Sequence, residues 1–106
     1  MLIKFYDTSS LLLANEDIFK EHFIISSITI KELEDIKYNP KKDGEIKNKA
    51  RRLLALLDER PNCYNLVIYK SEMIRPFVAA DYEINNDLKI LACAYSLTGI
   101  IFVTND

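Results

Sequence analysis

The chain has 106 residues, 49% of them apolar and 28% charged, with two glycines and three prolines. That balance describes one globular domain, residues 1–106, and leaves little room for a flexible linker or a disordered tail. A net charge of −2 excludes a uniformly basic nucleic-acid binder, no apolar run approaches the roughly 18–20 residues of a membrane span, and MLIKFYD is too short for a signal peptide.

Two cysteines, Cys63 and Cys93, without a secretory signal read as reduced thiols in a cytoplasmic protein. With His22 as the only histidine, no zinc cluster can be assembled.

Leu2–Tyr6 reads as a first strand, ended by Asp7. Thr8–Ala14 follows as a short helix capped by Asp7 or Thr8. Asp17–His22 gives another helical turn or two, and Phe23–Ser26 a second strand. Thr29-x-x-Glu32 matches a capping box, with Ile30, Leu33 and Ile36 at helical spacing behind it. Pro40 and Gly44 mark a turn. From Glu45 to Glu59, Ile46, Ala50, Leu53, Leu54 and Leu57 form one helical face. Leu66–Tyr69 reads as a third strand, and Ser71–Glu83, interrupted by Pro76, is ambiguous. Asn85 or Asn86 caps a helix with Leu88, Leu91, Ala92 and Tyr95 on one face. Thr98-Gly99 ends that helix, and Ile100–Val103 is the fourth strand. Short apolar strands alternating with helices predict a three-layer α/β/α fold, a four-stranded, mostly parallel sheet covered on both faces.

In such a sheet, ligands bind outside the carboxyl ends of the strands. Asp7 follows the first strand, and Asp106 follows the fourth. Glu32 and Asp87 each lie in the first turn of a helix that starts on that same edge. All four carboxylates are therefore expected to face one edge. Brought close, they repel unless protonated or neutralised by a cation. An all-oxygen donor set suits Mg2+ or Mn2+, and the matching chemistry is phosphodiester hydrolysis. Each acid also has a plainer role: Asp7 as a helix cap, Glu32 in its capping box, Asp87 on a helix dipole, Asp106 as a solvated terminus.

Seven of the fourteen basic residues lie between Lys37 and Arg52. The stretch is either a solvated helix face or a phosphate-tracking patch, with Lys47 and Arg51 at i, i+4. Tyr6, Tyr38 and Tyr82 are candidates for base stacking, though such tyrosines serve more often as core or rim.

FYDTSSLL, ITIKELEDIK, KARRLLALL, NDLKILACAYSL and IFVTND together resemble, in order, the successive motifs of PIN domains. The resemblance implies a Rossmann-like parallel sheet of order 3-2-1-4-5 and a magnesium- or manganese-dependent ribonuclease that leaves a 5′-phosphate and a 3′-hydroxyl. It implies Asp7, Glu32, Asp87 and Asp106 as the catalytic, metal-holding acids, with Asp106 in a T-x-D motif. Ser9, or equally Thr8, matches a small polar residue that supports the first acid; Ser9, together with Lys47, Arg51 and Arg52 of the basic stretch, is also an expected substrate contact. The family pattern continues past T-x-D with a helix and an edge strand, so the domain is expected to be truncated at its C-terminus. The alternative functions are a catalytically impaired RNA-binding module of a larger protein and the toxin of a toxin–antitoxin pair, with an antitoxin or a second copy as partner.

Overall fold

The computed structural model describes residues 2–77 and 83–104. Four strands, β1 (Ile3–Tyr6), β2 (Phe23–Ser26), β3 (Tyr64–Val67) and β4 (Ile100–Val103), form one sheet in the order β3-β2-β1-β4. Every pairing is parallel, with Phe5 opposite Ile24 on one side and Phe102 on the other. Among the described residues, four α-helices flank the sheet: α1 (Thr8–Ala14), α2 (Ser27–Tyr38), α3 (Gly44–Glu59) and α4 (Asn86–Tyr95). The α/β parallel architecture expected from the element order is present, and the order of the four strands agrees with the resemblance.

Alternation along the central strands builds two cores. Tyr6, Phe23 and Ile25 face one side and pack with Leu11, Ile18, Leu33, Leu53 and Leu57 from α1 to α3. Phe5 and Ile24 face the other side and pack with Ile90, Cys93 and Ala94 of α4. The sheet is therefore the middle of three layers. Lys4, which interrupts the apolar run of β1, stays exposed and pairs with Glu21 at 2.9 Å.

Local boundaries depart from the sequence reading in three places. The helix expected from Thr29 begins at Ser27, capped by Ser26, whose hydroxyl accepts from the Thr29 amide at 3.2 Å. Thr29 is thus in the first turn and fully buried, so no capping box closes between it and Glu32. The third strand lies two residues earlier than Leu66–Tyr69; a shift of two leaves the facing of each side chain unchanged. The turn expected at Asp17–His22 is a 3-10 segment over Asn15–Lys20. The ambiguous stretch opens as another 3-10 segment, Ser71–Phe77, while residues 78–82 lie outside the described ones.

The apolar face expected for α4 also needs correction. The sheet side of the helix is Ile90, Cys93 and Ala94, whereas Leu91 and Tyr95 are 38% and 69% exposed. Small side chains at Cys93 and Ala94 let the helix lie close on Phe5 and Ile24, which turns the Leu91–Tyr95 stripe away from the sheet. Gly99, at φ +70°, reverses the chain out of α4, a conformation L side chains avoid. Its carbonyl accepts from Ile3 N at 3.0 Å, which registers β4 against β1.

Candidate active site

The connection from β1 runs outward through β2 to β3, and β4 then returns to the opposite side of β1. The switch point is thus between β1 and β4, at their carboxyl ends. Asp7 and Thr104 stand there as the residues that follow each strand. The Asp7 amide donates to the Val103 carbonyl at 3.1 Å, which carries the ladder one step beyond the strands.

Asp7 is fixed by its neighbours. Its Oδ1 accepts from the Ser10 amide at 2.8 Å, so the carboxylate caps α1. The Ser9 hydroxyl donates to the same oxygen at 3.2 Å. The Thr104 hydroxyl also hydrogen-bonds to this carboxylate. Partial burial pushes the Asp7 carboxyl up, but the bonds from Thr104, Ser10 and Ser9 together outweigh it and hold the group below its ordinary value of 3.8. Asp7 is therefore ionised at neutral pH.

Glu32 reaches this corner by a different route. The Thr8 hydroxyl donates to Glu32 Oε1 at 2.6 Å, a short, charge-assisted bond. The hydroxyl oxygens of Thr8 and Thr29 lie 3.1 Å apart. Thr8 has one proton, and the carboxylate takes it; Thr29 therefore donates to Thr8. Two adjacent residues, Asp7 and Thr8, thus connect the first strand's end to its own helix and to Glu32 on α2.

Asp7 and Asp87 line one cleft of about 360 Å³ together with Glu83, Asn85, Thr104, Leu88, Leu91 and Phe102. Asn85 caps α4 by accepting from the Leu88 amide at 2.9 Å, which places Asp87 in the first turn at the rim of the cleft. Glu32 borders a neighbouring hollow of about 250 Å³ shared with Asn86 and Lys42. The start of α4 thus divides the two spaces: Asn85 and Asp87 face one and Asn86 the other. Asp106, the fourth expected acid, lies outside the described residues. Among the described residues, no three His, Cys, Asp or Glu side chains converge closely enough to hold a metal ion. The donor set nevertheless has the right chemistry for a hard divalent cation: carboxylate and hydroxyl oxygens, with Asp7 held in its charged form.

The expected substrate contacts divide. Ser9 lies on the Asp7 carboxylate and borders a hollow reaching Ile46 and Lys49 of α3. Arg51 is exposed, with Nη1 donating to Asn48 Oδ1 at 2.9 Å. Arg52 is drawn instead to Glu16 in an ion pair. Lys47 is half-buried. Of the tyrosines suggested for stacking, Tyr6 is core, Tyr38 is exposed beside the Lys37 ammonium, and Tyr82 lies outside the described residues.

Sequence reasoning passed over Glu83 and the role of Thr104. A hydroxyl residue directly after an apolar strand at the switch point was the available signal for Thr104. Glu83 had none, since it sits at the end of a stretch without periodicity.

A family model described as PIN domain matches residues 5–106. No curated protein and no solved structure matches the chain. PIN domains are generally nucleases, act on nucleic acids and typically depend on a divalent metal. With a parallel sheet of this order, an ionised aspartate at its switch point and a family match over nearly the whole chain, the protein belongs to the PIN domain family.

Proposed function

We propose that the protein is a metal-dependent endoribonuclease that hydrolyses RNA phosphodiester bonds at the cleft between β1 and the start of α4. The observation that carries this reading is the placement of Asp7 and Asp87 in one cleft at the carboxyl edge of the sheet, with Asp7 held ionised. Asp7 and Asp87, joined by Asp106 and Glu32, would hold Mg2+ or Mn2+. When bound, such an ion lowers the pKa of a water and stabilises charge on the leaving oxygen.

The chain's own residues supply orientation. Ser9, Ser10 and Thr104 fix the direction of the Asp7 carboxylate, so it needs no reorganisation when a cation or substrate arrives. Thr8 does the same for Glu32. Arg51, on the exposed side of α3, would follow the RNA backbone outside the cleft.

The deciding experiment is cleavage of single-stranded RNA with Mg2+ or Mn2+, comparing the wild type with Asp7→Asn. Metal-dependent cleavage by the wild type alone supports the assignment, and equal cleavage by both proteins refutes it.

A further inference from the structure

We infer that the apolar wall of the Asp7 cleft, formed by Leu88, Leu91 and Phe102, is a subsite for one unpaired nucleobase of the substrate. The inference rests on the nuclease reading above and names the surface that would receive one base at the cut.

The cleft is chemically divided. Asp7, Glu83 and Asp87 are its acids, whereas Leu88, Leu91 and Phe102 are its apolar side. The apolar part is not spare core. Residues Leu88, Leu91 and Tyr95 recur at helical spacing, yet the sheet takes the other face of α4, and Leu91 remains 38% exposed beside ionisable groups. Phe102, near the end of β4, is partly buried with its ring 6.0 Å from that of Phe5, so the floor of the wall rests on the core.

A ligand matching this surface needs a flat apolar part joined to an anionic part that an acid-held cation can bind. A nucleotide unit has that form. No lysine or arginine lines the cleft among the described residues, so the walls offer the phosphate no direct ion pair. Binding energy from the wall side must then come from the base, packed on apolar side chains. A volume of about 360 Å³ falls near the lower end of small-ligand cavities, which suits one nucleotide.

The test compares two short single-stranded RNAs, identical except for one abasic nucleotide at the cleavage position, each cut by the wild type and by Leu91→Ala with Mn2+. The wild type is expected to cut the intact RNA about tenfold more efficiently than the abasic one, the scale of one base contact, chiefly through KM. Leu91→Ala, at a partly exposed site, is expected to keep its melting temperature and to narrow the difference between the two RNAs, Leu88 and Phe102 remaining; an unchanged difference overturns the subsite. Equal cleavage of the two RNAs by the wild type overturns the subsite and leaves the nuclease reading standing. Absence of cleavage of either RNA removes that reading, and the subsite with it. A concentration-dependent increase in mass that Leu91→Ala abolishes would show the wall covered by a second copy, and would also overturn the inference.

Discussion

Thr8 and Glu32 are 24 positions apart in sequence and 2.6 Å apart in space, the hydroxyl donating to Oε1. The bond ties the start of α1 to the second turn of α2, one turn later than the sequence reading put Glu32, and the fully buried Thr29 braces it from behind. Thr8 is thus a positioning residue for Glu32. Replacing it with valine keeps the shape and removes the donor. We expect Thr8→Val to cost about 1–2 kcal/mol in urea unfolding, as for a hydrogen bond to a charged group at a part-buried site. Manganese affinity, read by electron paramagnetic resonance, should fall about 10–100-fold, as for other groups that orient a ligand. Thr8→Ser should restore the affinity; failure to do so would show that the methyl group, and not the hydroxyl, matters.

Asp7 has one observed duty, capping, and one proposed, chemistry, and the two are separable. Asparagine is as good a cap as aspartate, whereas alanine loses about 1 kcal/mol. Asp7→Asn should therefore fold with near-normal resistance to urea, and Asp7→Ala should be weaker by about that amount. Both should lose RNA cleavage by about 100-fold or more, since a missing ligand forfeits several kcal/mol of transition-state stabilisation. Cleavage surviving in Asp7→Asn would assign the chemistry elsewhere.

The lowered carboxyl of Asp7 has a pH signature. Because the folded value lies below the unfolded one, its contribution to stability is present above the unfolded pKa near 3.8. That contribution disappears as pH falls through the folded value. In Asp7→Asn, stability measured by urea unfolding should consequently fall less steeply with acid below about pH 4. Parallel acid limbs in the two proteins would contradict the hydrogen-bond arrangement around Asp7.

Arg51 and Arg52 are neighbours with different expected effects. Arg52 is already paired with Glu16, while Arg51 is tied only to a neutral amide. If α3 follows an RNA backbone, Arg51→Ala should reduce the salt dependence of RNA binding by about one phosphate contact. Arg52→Ala should change it less and cost at most about 1 kcal/mol of stability, as for an exposed pair. Equal effects would mean that the Glu16 pair opens when RNA binds.

The thiols should also differ. Burial pushes the Cys93 thiol up to about 11, and the residue lies within the α4 side of the core. Cys63 is only half-buried. Ellman's reagent applied to the native protein at neutral pH should modify Cys63 first, with Cys93 reacting only on unfolding.

The order of elements was legible because each strand is a short apolar run bounded by polar turns. That order was sufficient to place Asp7 at the switch point. Precise starts were less legible. Ser26-x-x-Thr29 and Thr29-x-x-Glu32 are overlapping helix-start patterns, and local propensity cannot choose between them; the buried end of β2 selects Ser26. The inner face of α4 was misread because leucines dominate its pattern, while the sheet accepts the small Cys93 and Ala94, which allow close approach. Glu32 was expected in a capping box with Thr29. Its actual partner, Thr8, comes from another helix, and no spacing rule within one helix can show that.

The carboxylate of Asp7 also holds the first turn of α1. A descendant that abandoned the chemistry could therefore drift freely at Asp87 but only narrowly at position 7. Asparagine or serine there would keep the helix start, whereas most other residues would erode the fold. Loss of activity within such a lineage would leave a mark: the rim acid scattered among many residue types, and the strand-end position confined to a few small polar ones.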